Sequence, residues 1–126
     1  MPPKQSPRVL IVDDNDLVRK TLARVLKRLG YSPTEAASGE ASLKIIKAED
    51  IPFDCMVIDR IMPGLSGPDL INGIRAIDSN VPIVLTTGFG DAHDMPKGSI
   101  SSVLTKPWTA NDVIAAMQKA LNQTPD

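Results

Sequence analysis

Five short apolar runs punctuate this chain, and the longer stretches between them repeat at helical period. The clearest are Val9-Leu10-Ile11-Val12, Cys55-Met56-Val57-Ile58 and Val81-Pro82-Ile83-Val84-Leu85. A continuous β-branched run without polar alternation is what a strand needs when helices cover both of its faces. Strict strand–helix alternation then predicts an α/β fold: a doubly wound, five-stranded parallel sheet with helices on both sides. All five strands of such a sheet end on the same edge, so residues just past each run are brought together.

The segments fall in order. Arg8 to Val12 is the first strand, stopped by Asp13-Asp14-Asn15-Asp16, whose last residues can cap a helix. Val18, Leu22, Val25, Leu26 and Leu29 recur at helical spacing until Gly30. Tyr31 to Ala37 is a weaker strand, confined by Pro33 to an edge. Ser38 caps a second helix through about Ala48, with Leu43, Ile45 and Ile46 inward. Asp54 to Asp59 is the third strand. A third helix opens at Ser66-Gly67-Pro68-Asp69 and turns Leu70, Ile71, Ile74 and Ile77 inward. Val81 to Thr87 and Ser101 to Thr105 are the last two strands. Between them Gly90, Pro96 and Gly98 leave room only for a short or irregular helix. Thr109 caps the final helix with Asp112 in capping-box spacing, and Val113, Ile114, Met117 and Leu121 form its apolar face. Residues 1–7 read as a disordered leader, 8–122 as one domain and 123–126 as a tail.

Composition narrows the function classes. A net charge of −1 gives no electrostatic case for nucleic acid or an anionic membrane. One cysteine, Cys55, excludes an internal disulfide, and its apolar setting makes it a buried hydrophobe. No apolar stretch is long enough to span a bilayer as a helix, and the first seven residues do not resemble a signal peptide, so the chain reads as cytoplasmic.

The predicted sheet edge collects Asp13 and Asp14, Asp59, Thr86 and Thr87, and Lys106. Three carboxylates in one cleft repel unless a cation neutralises them. An all-oxygen donor set with room for waters suits Mg2+ or another divalent cation. A lysine can bind a phosphoryl oxygen as a point charge, and a threonine hydroxyl can donate to another. The set fits phosphoryl transfer to a carboxylate, with Asp59 as nucleophile. Thr86 and Thr87 point to opposite faces of their strand, so the residues alone leave open which of the two serves the site. His93, the only histidine, reads as a surface residue, and Trp108 as packing at a strand–helix junction beside the site.

The acid pair Asp13-Asp14, the run Asp59-Arg60-Ile61-Met62-Pro63-Gly64 continuing to Gly67, the Thr87-Gly88 pair and Lys106-Pro107 together resemble the bacterial response-regulator receiver domain, CheY-like in fold. The resemblance covers Arg8 to about Leu121 and implies strand order two-one-three-four-five. It implies that a histidine kinase or histidine phosphotransfer protein donates a phosphoryl group to Asp59, switching the affinity for a downstream protein partner. Asp14 and Asp59 would ligate Mg2+ directly, Asp13 through water, and the Ile61 backbone carbonyl would complete the protein ligands. Thr87 and Lys106 would hold phosphoryl oxygens, and the Lys106-Pro107 bond would be cis.

The Met1 start and the short polar tail after the last helix favour a single-domain regulator as the expectation, with a receiver cut from a hybrid histidine kinase as the second reading. A pseudo-receiver would lack one of the acids or the lysine. A haloacid-dehalogenase-like phosphatase would want an acid where Ile61 stands, and a flavodoxin would want a phosphate loop where this chain has acids.

Three features depart from the family. Val103 occupies the position of an aromatic switch residue, three before Lys106. Thr87 and Lys106 are only nineteen positions apart, and Thr86-Thr87-Gly88-Phe89-Gly90 resembles a subgroup with a threonine-glycine-aromatic-glycine loop. That segment is expected to be short or mobile and to order on phosphorylation. Finally, Ile61 and Phe89 are apolar where an in-line water would need orienting, which predicts slow autodephosphorylation. The check is phosphate release from wild type against an Ile61→Asn, Phe89→Glu double variant. The variant should release phosphate faster, and an unchanged rate would refute the reading.

Overall fold

The computed structural model describes residues 6–48, 52–65, 67–88, 95 and 98–122. The elements run β1 (Arg8–Val12), α1 (Asp16–Arg28), β2 (Ser32–Ala36), α2 (Gly39–Ala48), β3 (Cys55–Asp59), α3 (Gly67–Ile77), β4 (Ile83–Thr87), β5 (Ser102–Thr105) and α4 (Ala110–Leu121). The five strands form one sheet in the order β2-β1-β3-β4-β5, with every neighbouring pair parallel. Reversal of strand order between β1 and β3 opens the crevice in which α/β sheets place their ligands.

Alternation along the strands divides the core in two. Leu10, Val12, Met56, Ile58, Ile83 and Leu85 face α2 and α3, where they meet buried Leu70, Ile71 and Ile74. Val9, Ile11, Cys55, Val57, Val84 and Leu104 face α1 and α4, against Leu22, Leu26, Val113 and Met117. Because β1, β3 and β4 are enclosed on both sides, their sequences carry no polar alternation.

Local chemistry sets the ends. Asn15 caps α1 by accepting the Val18 N–H, and Gly30 at φ +97° takes the left-handed turn after it. The Ser38 hydroxyl accepts the Ala41 N–H at the start of α2. Thr109 and Asp112 close a complete capping box on α4.

Several boundaries differ from the sequence expectation. β4 begins at Ile83, not Val81, because Pro82 has no N–H to place in the ladder, although its carbonyl still accepts from Met56. Ile77, expected inward, is 40% exposed because it ends α3 beyond the cover of the sheet. Leu29 is likewise half-exposed at the α1 cap. The buried face of α4 includes Ala116 and Ala120, small residues that bring the helix close to the sheet. Just before β1, the Pro7 carbonyl accepts the Ser32 N–H at 2.8 Å, and residues 1–5 of the expected leader lie outside the described residues. No helix occurs among the described residues between β4 and β5; Phe89 and His93 lie outside them.

Cys55 is fully buried, and burial pushes its thiol up to about 12. The thiol is therefore protonated and enclosed at neutral pH, so it lacks the thiolate that reacts. A thiol reagent at about pH 8 should leave the native protein unlabelled and modify it only as denaturant opens the sheet. Stoichiometric labelling of native protein within minutes would contradict this placement.

Candidate functional site

Three of the expected acids converge at the sheet edge. Asp13 follows β1, Asp59 ends β3, and one carboxylate oxygen from each of Asp13, Asp14 and Asp59 lies within 4.8 Å of the others. Asp13 and Asp59 are buried, whereas Asp14 is exposed at the mouth. Lys106 reaches in from beyond β5, its Nζ 3.1 Å from Asp59 Oδ1 and 4.0 Å from Asp13 Oδ2. Its backbone N–H donates to the Thr87 carbonyl, so the lysine is anchored at both ends. The Lys106-Pro107 peptide is cis, as expected.

Burial, reinforced by neighbouring Asp59 and Asp14, raises the Asp13 carboxyl above the ordinary carboxylate range. The Asn15 N–H at 2.9 Å and Lys106 oppose that rise without cancelling it. The pocket is thus rich in oxygen donors and short of positive charge. Three clustered carboxylates with solvent at one side match the hard-cation preference for all-oxygen ligation with retained waters. The donor set fits a divalent ion such as Mg2+.

Thr87 is buried at the end of β4 on the face continued from Ile83 and Leu85. Thr86 continues the other face, that of Val84, as its register pairing with Asp59 and Leu104 requires. Its Oγ1 is enclosed without a hydrogen-bond partner among the described residues. The Ile61 side chain is 67% exposed just past Asp59, and Phe89 lies outside the described residues. Trp108 is half-buried and lines an apolar depression of about 400 Å³ with Leu17, Val18 and Lys106.

Sequence reasoning missed Arg19. It is 7% exposed on α1, and its guanidinium bonds the Asp13 carbonyl, Asp16 and Glu35. The Asp16–Arg19 spacing of three on a helix was a signal, but Glu35 enters only through the sheet register.

The chain matches the family model described as the response regulator receiver domain over residues 9–118. It is 32% identical over 127 residues to the transcriptional regulatory protein FixJ of Azorhizobium caulinodans, covering 97% of this chain and 58% of that protein. The chain spans about half the length of several curated relatives it matches. The solved structure of FixJ-N superposes with a TM-score of 0.83 at 30% identity, covering 98% of this chain and 99% of that one. The receiver domain of sensor histidine kinase PA1611 from Pseudomonas aeruginosa PAO1, solved with a magnesium ion in its active-site cleft, gives 0.81 at 22% identity. That alignment covers 94% of this chain and 99% of that one, and at such identity it speaks for the fold.

A raised Asp13 makes the metal-free pocket pH-sensitive. Between its ordinary and raised values the folded chain binds more protons than the unfolded one, so its contribution to stability falls as pH rises through that window. A divalent cation favours the deprotonated carboxylate and so competes with those protons. The rise in melting temperature on adding Mg2+ should therefore be larger at about pH 7.5 than at about pH 5. An equal Mg2+ shift at both values would count against the assignment.

Proposed function

The chain belongs to the response regulator receiver domain family, and on that premise we propose that it accepts a phosphoryl group on Asp59. A receiver is a signalling phosphoacceptor rather than an enzyme acting on a separate substrate, and receivers interact with histidine kinases. The observation that carries the proposal is the meeting of Asp13, Asp14 and Asp59 with Lys106 at the carboxyl end of the sheet.

The donor is a phosphohistidine on a histidine kinase or histidine phosphotransfer protein. An Asp59 carboxylate oxygen attacks phosphorus, a P–O bond forms, the P–N bond breaks, and the imidazole leaves with its electron pair. Lys106, already within hydrogen-bond reach of Asp59, compensates negative charge gathered on the phosphoryl oxygens. The Thr87 hydroxyl donates to another phosphoryl oxygen from the neighbouring strand end. Asp14 and Asp59 would hold Mg2+ directly, Asp13 through water, and Ile61 through its backbone carbonyl. A bound Mg2+ supplies charge neutralisation and orientation at the transferred group; the ion described for the Pseudomonas receiver supports that choice. Phosphorylated Asp59 then changes the affinity for a downstream protein partner.

The test is exposure to a small phosphodonor with and without Mg2+, followed by intact-protein mass spectrometry. Wild type should gain one phosphoryl group only with the cation, and Asp59→Asn should gain none. A cation-independent gain, or one that persists in Asp59→Asn, would refute the assignment.

A further inference from the structure

Arg19 lies outside the acid cluster, and nothing in the phosphoacceptor reading uses it, yet it is the charged residue most completely enclosed in α1. Its guanidinium engages three acceptors at once. Nε donates to Glu35 Oε1 at 3.0 Å, Nη2 to Asp16 Oδ1 at 2.6 Å, and Nη1 to the Asp13 backbone carbonyl at 2.9 Å. The first two acceptors are carboxylates on β2 and on the first turn of α1, and they fix the guanidinium plane. Only the third belongs to the pocket.

That third bond acts on geometry. The Asp13 N–H is already committed to the Ala36 carbonyl of β2 at 3.1 Å. With the Asp13 carbonyl held by Arg19, both backbone polar groups of Asp13 are tied to elements outside the loop. The Asp13 carbonyl shares a rigid plane with the Asp14 nitrogen and Cα. Orienting that carbonyl therefore orients the start of Asp14. Asp14 is exposed, so burial does not hold it as burial holds Asp13 and Asp59.

We infer that Arg19 is a positioning residue for the divalent-cation site: it fixes the Asp13–Asp14 peptide and so presents the Asp14 carboxylate ready for the ion. The inference rests on reading the acid cluster as that site. Two physical effects of Arg19 on a cation oppose each other. Its positive charge repels the ion, and its fork pre-orders the ligands. Asp16 and Glu35 pair with the guanidinium and offset its charge, so the ordering effect sets the sign. A lysine would keep the charge but present a point donor instead of a planar fork, and it cannot satisfy three divergent acceptors.

The experiment is calorimetric titration of the full chain with Mg2+ alone, for wild type, Arg19→Ala, Arg19→Lys and Glu35→Gln, each first shown to melt cooperatively without metal. Arg19→Ala should bind Mg2+ about tenfold more weakly, the scale seen when outer-shell partners of metal ligands are removed. Arg19→Lys should remain impaired. Glu35→Gln, a milder change on a partly exposed side chain, should weaken binding in the same direction and decides the matter should Arg19→Ala fail to fold. In phosphorylation by a small phosphodonor, the Mg2+ concentration for half-maximal rate should rise while the rate at saturating Mg2+ stays near wild type. A lowered melting temperature with unchanged Mg2+ affinity would overturn the inference, as would full restoration by lysine. Absence of Mg2+ binding by wild type itself would instead overturn the functional reading beneath it.

Discussion

Mutual repulsion among Asp13, Asp14 and Asp59 is the constraint to which the rest of the molecule answers. Two unit charges about 5 Å apart at an effective dielectric of about 20 repel by on the order of 3 kcal/mol. Two of these carboxylates are buried, which raises the penalty further. Lys106 relieves part of it by standing 3.1 Å from Asp59, but it is 4.0 Å from Asp13, and the Asp13 carboxyl stays raised. A sheet that existed only to be stable would not gather acids in this way. The remaining imbalance would be relieved by a cation entering the pocket.

Holding repelling groups together demands a stiff support. β1, β3 and β4 are enclosed on both faces, and consecutive rows of the ladder fix where each strand ends. The pairing of Val12 with Ile58 sets Asp13 and Asp59 in successive positions on adjacent strands. The pairing of Thr87 with Thr105 brings Lys106 to the neighbouring strand end. Acids and lysine are thus positioned by apolar packing several residues away. This is why continuous hydrophobic runs and the charged residues that follow them read as one signal in the sequence.

That signal made the sheet and the pocket legible before any coordinates, while the strand order came from the family resemblance. What stayed hidden shares a cause: it depends on register rather than period. Glu35 faces Arg19 because it pairs with Ile11, whose side chain lies on the α1 side, and no spacing within either segment states that. Arg19 itself occupies a helical position that a hydrophobic count passes over as polar. Ala116 and Ala120 were overlooked for the opposite reason, since small residues weigh little in such a count yet let α4 approach the sheet. Ile77 has the right period but lies past the edge of what the sheet can cover. Strand limits moved where a proline removed a donor, a local effect that a run of apolar residues disguises.

The absence of an aromatic ring at Val103 bears on how the site communicates with the rest of the surface. Val103 is half-buried, pairs with Leu85 and has no ring to rotate. A different contact joins the segment after Asp59 to the chain beyond β4. Met95 is buried in the α3-side core against Gly67, the first residue of α3. A Cβ at Gly67 would lie 2.6 Å from Met95 Cε and 3.3 Å from the Arg60 carbonyl oxygen, so glycine is the residue that admits the methionine. Arg60 directly follows Asp59, and its N–H donates to the Thr86 carbonyl. Met95 and the Arg60 carbonyl thus both close in on Gly67, leaving no room there for a larger residue.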